Sequence, residues 1–125
     1  MNLIQEYLSL VNSILNIDKT GNFDDLHKLH NKKVSRMISI ATEIDKSYPE
    51  IKDEFCTLLF NENRGVRIWV AHHVLEVMNC NKYQRKSALK IIRYEAKNNK
   101  TANGFAEKIW LNDWYKSHPK DIFLR

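Results

Sequence analysis

The run VRIWVAHHVLEVM, residues 66–78, is the most hydrophobic segment of this sequence. Its apolar residues lie nearly all round a helix, which is typical of a central helix with neighbours on several sides. Only three glycines and two prolines interrupt the 125-residue chain, and a β-rich protein of that size needs more turn formers. We therefore predict an all-α protein with one hydrophobic core.

The segments on both sides of this run also show helical periodicity, and turn formers separate them. We predict six helices over about residues 2–16, 23–47, 49–60, 64–79, 82–98 and 105–117. Their short connections favour stacked antiparallel pairs. Gly21 is expected to be a left-handed turn residue and Asn22 to cap the second helix. The apolar faces expected to be buried include Leu15, Leu29 and Ile38.

The helix that starts near residue 65 has an echo 39 residues later. Gly65-Val66 and Gly104-Phe105 each follow a turn that contains asparagine, and the apolar positions after them correspond. A period near 40 residues is typical of HEAT-type helical repeats. The two glycines are interpreted as turn residues.

The segments GVRIWVAHHVLE (65–76) and GFAEKIWLNDW (104–114) carry a family resemblance. They are similar to small bacterial HEAT-like, or armadillo-type, helical repeat domains. The similarity covers about residues 22–117 and is sharp at 61–78 and 104–114. It implies a right-handed α-solenoid in a single domain over residues 1–125, with repeats best supported at 48–79 and 82–117. It implies no particular activity, so function has to be argued from the side chains.

The resemblance also implies structural roles for several side chains. Arg67 would bond turn carbonyls or a polar residue of the adjoining repeat, and Trp69 and Trp114 would be packing anchors. The spacing of Trp110 and Trp114 independently places both on the core face of the last helix. The sequence departs from the family pattern, which has small residues, at Val70, His72 and His73.

The net charge of +5 is divided unequally along the chain. Residues 1–62 hold seven Lys/Arg and ten Asp/Glu, whereas residues 63–125 hold thirteen and five. The predicted helix 82–98 collects cations at helical spacing. This basic face consists of Lys82, Arg85, Lys86, Lys90, Arg93 and Lys97. It is interpreted either as a surface for phosphate or an acidic protein, or as an ordinary solvated helix face.

A second charged surface is predicted in the N-terminal half, where it would suit a basic partner such as a nuclease. Its carboxylates are Asp24, Asp25, Glu43, Asp45, Glu50, Asp53 and Glu54. The two charged faces have equal weight as candidate interfaces.

No nucleophile–base motif, phosphate-binding loop or Cys-x-x-Cys pair occurs in the sequence. Asp113 lies between Trp110 and Trp114 and resembles the aspartate of HEAT-like DNA glycosylases, but the chain has too few repeats to wrap a duplex. A zinc site would need a fourth ligand, which the sequence does not supply, beside the candidates Asp24, His27 and His30. We therefore expect no catalytic residue, metal or cofactor.

Cys56 and Cys80 do not make a disulfide framework, and no apolar run resembles a signal peptide or a membrane span. These features predict a cytoplasmic protein. By analogy with HEAT-like folds recruited for the role, we expect a non-enzymatic protein-binding module, an immunity protein that neutralises a contact-dependent or polymorphic bacterial toxin domain. The alternative is a nucleic-acid-binding protein that uses the basic face, although only two aromatic residues, Tyr83 and Tyr94, lie near it, which disfavours base stacking.

Overall fold

The computed structural model describes residues 2–16 and 22–125, and in those ranges the protein is all-helical with no β-strand. The six α-helices found there are α1 (Leu3–Leu15), α2 (Phe23–Ser47), α3 (Pro49–Cys56), α4 (Arg64–Glu76), α5 (Lys82–Asn98) and α6 (Ala102–Ser117). Two short 3-10 helices, Thr57–Phe60 and Pro119–Phe123, follow α3 and α6. Within the same ranges, no helix is both long and apolar enough to cross a lipid bilayer.

Asparagine side chains cap the starts of α1, α2, α4 and α5. Asn22, the predicted cap of α2, accepts hydrogen bonds from the amides of Asp24 at 2.8 Å and Asp25 at 3.4 Å. Asn63 bonds two amides in the first turn of α4 in the same way. These short-range bonds satisfy amides that have no partner inside the helix, so the helix starts follow closely from the sequence. Gly21 lies outside the described residues.

Helix α6 begins at Ala102, earlier than the predicted start at residue 105. Thr101 caps it, because its hydroxyl accepts from the amide of Asn103 at 3.3 Å. Gly104 is therefore not a turn residue but lies buried in the first turn of the helix. A Cβ atom at residue 104 would lie 1.9 Å from the carbonyl oxygen of Asn99. Only glycine allows α6 to approach the end of α5 this closely.

Helix α4 lies at the centre of the core, as its composition predicts. It packs on α1, on α5 and on the 3-10 helix Thr57–Phe60, while α1 packs on α2 and α6 packs on α5. Helix α3 reaches α4 largely through the 3-10 helix, which packs on both. The buried residues of α4 are Val66, Val70, Ala71, His73, Val74 and Leu75.

A buried polar contact joins α1 to α4. The hydroxyl of Tyr7 lies 2.6 Å from Nδ1 of His73, and both side chains are buried. Burial lowers the pKa of His73 to about 4, so its imidazole is neutral at pH 7 and shares one hydrogen bond with the tyrosine hydroxyl through Nδ1. Phe55 packs edge-on against Tyr7, with 4.9 Å between the ring centroids. His73 is thus a core histidine whose polar atom is satisfied.

Three side chains expected on buried faces, Leu15, Leu29 and Ile38, are exposed, so those predictions were wrong. In α2 the core covers only the C-terminal half of the helix. The buried residues of that half are Met37, Ile40, Ala41 and Ile44. Leu29 lies in the uncovered half, because periodicity does not show where along a long helix the neighbouring helices end. Ile38 lies in the covered half but outside the buried stripe of Met37, Ala41 and Ile44.

Candidate functional site

The six predicted cations of α5 separate into two sets. Arg85 and Arg93 bind acceptors in the C-terminal segment, residues 119–125. The exposed set, which forms no ion pair with any residue in the described ranges, is Lys82, Lys86, Lys90 and Lys97. What the sequence presented as one basic face is therefore two surfaces with different roles.

The arginines belong to a densely bonded region, the C-terminal seam, which we define by Arg85, Arg93, Trp114 and Asp121. Arg93 donates to the hydroxyl of Tyr115 at 2.8 Å and to two carbonyl oxygens of the tail, each at 2.6 Å. The carboxylate of Asp121 is buried and accepts from Arg85 at 2.5 Å and from the indole of Trp114 at 2.8 Å. These bonds attach the tail to α5 and α6, so both arginines have structural roles.

Stacked rings extend the C-terminal seam along α6. The rings of Trp110 and Trp114 stack with centroids 4.9 Å apart, and Trp114 stacks on His118 at 3.7 Å. The indole of Trp110 donates to Glu76 at 2.8 Å. Both tryptophans are half-buried and hydrogen-bonded, which favours a packing role.

Asp113, the candidate catalytic aspartate, is exposed and lies 3.8 Å from Lys116. The neighbouring indoles of Trp110 and Trp114 donate to other carboxylates, so the structure does not join Asp113 to them. Among the described residues, no three His, Cys, Asp or Glu side chains are arranged to hold a metal ion. This applies also to the candidate zinc ligands Asp24, His27 and His30, which are all described.

One of the exposed lysines, Lys90, lines a groove between α5 and the 3-10 helix Thr57–Phe60. Two adjoining depressions of about 400 and 290 Å³ form it, and both are lined by Leu59, Phe60 and Ser87. Tyr83 lines one end and Tyr94 the other, about three turns or roughly 16 Å along α5. The three rings are largely exposed, Phe60 by 76%, Tyr83 by 79% and Tyr94 by 64%. We call this surface the aromatic groove and define it by Leu59, Phe60, Tyr83, Ser87, Lys90 and Tyr94.

The α3 side of the aromatic groove carries carboxylates. Asp53 lines the end near Tyr83 and accepts a hydrogen bond from the side-chain amide of Gln84 at 2.9 Å. Glu50 lies one turn before Asp53, and Glu54 follows it; both are exposed. Asp53 of the predicted acidic face and Lys90 of the predicted basic face therefore line the same groove, one from α3 and the other from α5.

The other predicted carboxylates lie elsewhere. Asp45 is half-buried, pairs with Lys52 at 2.7 Å and accepts a backbone amide of the α4–α5 connection at 3.0 Å. Asp24 and Asp25 are exposed in the first turn of α2, whereas exposed Glu43 lies near the other end, roughly 27 Å along the axis. The seven carboxylates do not form a single acidic face.

Arg67 and Trp69 contribute to packing around α4. Arg67 donates to the carbonyl oxygens of Asn61 at 2.8 Å and Glu62 at 3.0 Å, which closes the turn before α4. Its side chain also lines the aromatic groove. Trp69 is half-buried, and its ring centroid lies 5.9 Å from that of His73.

Phe60 is the groove residue that the sequence-based predictions missed. It ends the apolar run TLLF, in which Leu58 and Leu59 are buried. A 3-10 helix has three residues per turn, so the directions of its side chains differ from those of an α-helical continuation of α3. An apolar run carries no signal that its last residue faces solvent.

A scan against protein-family models, a search of curated proteins and a search of solved structures each found no match to this chain.

Proposed function

We propose that this protein is a binding module without catalytic activity, and that it holds a protein partner in the aromatic groove. The observation that carries the proposal is the gathering of three exposed rings, Phe60, Tyr83 and Tyr94, along one groove. Exposed aromatic side chains lose much apolar surface to water when a partner covers them, and they are enriched at the centres of protein interfaces.

The charges around the groove favour a protein over a nucleic acid. A phosphate backbone is negative along its whole length, so it is attracted to the α5 wall and repelled by the α3 wall. A protein surface can present acidic side chains to Lys86 and Lys90 and basic ones to Asp53 and Glu54. The partner we propose therefore has an apolar or aromatic centre flanked by charges of both signs.

We further propose that the six helices form a HEAT-like right-handed solenoid and that the chain is a cytoplasmic immunity protein for a bacterial toxin domain. The resemblance of residues 61–78 and 104–114 to small bacterial HEAT-like domains supports this, as does the packing of α1 on α2 and of α5 on α6. Binding in the aromatic groove would cover the active site of the toxin, or the surface with which the toxin holds its substrate.

Single-stranded nucleic acid is a second candidate for the same groove. Phe60 adds a third exposed ring to the two tyrosines, and base stacking on such rings contributes about 1–3 kcal/mol per base. In this case affinity falls steeply with salt, because Lys86 and Lys90 would release counterions from phosphates. Binding of a protein through the apolar centre of the groove depends less on salt.

The test uses affinity purification from the native cells with four versions of the tagged chain, followed by reconstitution with the protein recovered. The versions are the wild type, Phe60→Ala, Tyr83→Ala and Phe105→Ala. Phe105 is the matched control, because it is an aromatic residue of α6 that is 64% exposed and lies outside the groove.

We expect a nuclease-resistant partner whose affinity falls about 10- to 100-fold with Phe60→Ala or Tyr83→Ala and stays unchanged with Phe105→Ala. Equal affinity for all four versions would rule out the aromatic groove. Recovery of nucleic acid alone, lost at high salt, would replace the protein partner with the second candidate. Recovery of a protein partner that is not a toxin would support the proposal of a binding module and contradict the proposed role in immunity.

A further inference from the structure

The two cysteines of the chain meet in the structure. Cys56 ends α3 and Cys80 lies in the connection between α4 and α5, yet their Sγ atoms are 3.9 Å apart. Both are free thiols with little exposure, 5% for Cys56 and 8% for Cys80. We propose that they form a redox-sensitive dithiol site that a peroxide converts to an intramolecular disulfide, which locks α3 to the α4–α5 connection.

Small side-chain movements suffice for this bond. A disulfide requires its sulfur atoms at about 2.05 Å, so the present gap has to close by roughly 1.9 Å. Cys80 lies outside any helix, and Cys56 lies where α3 gives way to a 3-10 helix. Because Cys56 is the last residue of α3 and Cys80 lies outside any helix, we propose that rotation of the two side chains with a slight shift of the connection brings the sulfurs together.

The surroundings of the pair differentiate the two thiols. The hydrogen bond with Cys56 lowers the pKa of Cys80, against the opposing effects of burial and of the Asp45 charge, and the charge of Lys52 acts in the same direction as the hydrogen bond. The ammonium of Lys52 is held in place by Asp45 at 2.7 Å and by the carbonyl oxygen of Asn79 at 3.0 Å. Cys80 is therefore the nucleophile, because the thiolate is the reactive form of cysteine.

The chemical steps balance with a peroxide as the only co-reactant. The Cys80 thiolate attacks one oxygen of hydrogen peroxide, which breaks the O–O bond, and the products are a sulfenic acid and hydroxide. The Cys56 sulfur then attacks the Cys80 sulfur, which forms the S–S bond and releases water. The two thiols lose two electrons and two protons in total, and the peroxide becomes two molecules of water.

The aromatic groove reaches the Cys56 side of the dithiol site. Cys56 lines the end of the groove beside Phe60 and Tyr83, so the dithiol site adjoins the surface. The disulfide would enclose residues 57–79, which include the 3-10 helix that carries Phe60. Closing that loop removes conformations from the unfolded chain and stabilises the folded protein. This inference concerns the thiols alone and does not depend on the partner proposed for the groove.

The experiment treats the reduced full chain with increasing hydrogen peroxide and follows it by intact mass and thiol labelling under denaturing conditions. We expect a loss of two hydrogens, disappearance of both labelled thiols and recovery of both after dithiothreitol. A peptide digest should contain one linked pair, Cys56 with Cys80. Thermal unfolding should move up by roughly 5–10 °C in the oxidised form.

Two variants complete the test. Cys56→Ser should gain oxygen at Cys80 instead of losing hydrogens, and Cys80→Ser should keep its remaining thiol at the same peroxide dose. The linked peptide from the oxidised wild type tests the Cys56–Cys80 disulfide directly, even when a variant does not fold. Dimers linked through disulfides, wild-type thiols that survive peroxide, or oxygen uptake without a linked peptide would each overturn the proposal.

Discussion

Helix α5 carries two sets of cations that look alike in the sequence and have different roles in the structure. On the C-terminal seam, Arg85 and Arg93 find carboxylate, hydroxyl and carbonyl acceptors inside the protein. Along the aromatic groove, Lys90 is exposed beside exposed rings, and Lys86, one turn earlier, is exposed as well. Regular spacing places a cation on a helix face, but its role depends on whether another part of the chain supplies an acceptor.

Glycine 104 offers the largest test of this contrast, because the seam exists only while α6 lies close to α5. In Gly104→Ala the new Cβ would lie 1.9 Å from a backbone oxygen, so α6 has to move. We expect the free energy of unfolding to fall by about 3 kcal/mol in urea titrations. The matched control is Gly65→Ala, whose Cβ meets the side chain of Leu15 at 2.6 Å. Leu15 is exposed and able to move, so the control should change stability by less than about 1 kcal/mol. Equal losses in both variants would contradict the close approach of α6.

Arg93→Ala tests the seam directly. The change leaves the hydroxyl of Tyr115 and two tail carbonyl oxygens without their donor, and we expect a loss of about 2–3 kcal/mol. Lys90→Ala, one turn earlier on the same helix, should cost less than about 0.5 kcal/mol, because Lys90 forms no ion pair with the described residues. Chemical denaturation measures both. If the two substitutions had similar effects on stability, the division of α5 into a structural and a binding side would be wrong.

The adjacent histidines of α4 repeat the contrast between an enclosed and an accessible group. His73 is buried against Tyr7, whereas His72 is half-buried with its Nε2 at 2.8 Å from Glu107. Burial lowers the pKa of His73 from 6.5 to about 4, so between these values the unfolded chain binds a proton that the folded chain does not. The contribution of His73 to stability is complete above pH 6.5 and declines as the pH falls toward 4.

We expect this decline to amount to about 2 kcal/mol, measured by urea titrations between pH 7 and 4. His73→Gln should have a smaller dependence on pH over the same interval, whatever its stability at neutral pH. The same dependence on pH in the wild type and in His73→Gln would contradict the lowered pKa of His73.

The smallest expected effect concerns the lysines of the groove. Replacing Lys86 and Lys90 together by glutamate should slow association with an acidic partner about 10-fold at low salt and much less at high salt. Stability should change by less than about 0.5 kcal/mol, because neither lysine forms an ion pair within residues 2–16 and 22–125. The control exchanges Lys108 and Lys116 of α6, which lie outside the groove. Identical association rates for both double variants would show that Lys86 and Lys90 do not contribute to partner binding.

The sequence was a good guide to local structure and a poor guide to the candidate site. The helix α2 was predicted with the bounds Phe23–Ser47 that it has, since its cap and its apolar spacing are local signals. The aromatic groove could be predicted only in part. Tyr83 and Tyr94 were evident beside the cations, whereas Phe60 and the nearby carboxylate of Asp53 come from elements that tertiary packing brings to α5.

The sequence by itself determined the all-helical class, the cap at Asn22 and the central position of α4, because these depend on contacts within a few residues and on helical periodicity. Tertiary structure alone decided which cations of α5 remain exposed, that Cys56 meets Cys80, and how far the core covers α2. Each of these depends on an acceptor, a sulfur or an apolar surface supplied by a distant segment. No local pattern can show where that segment packs.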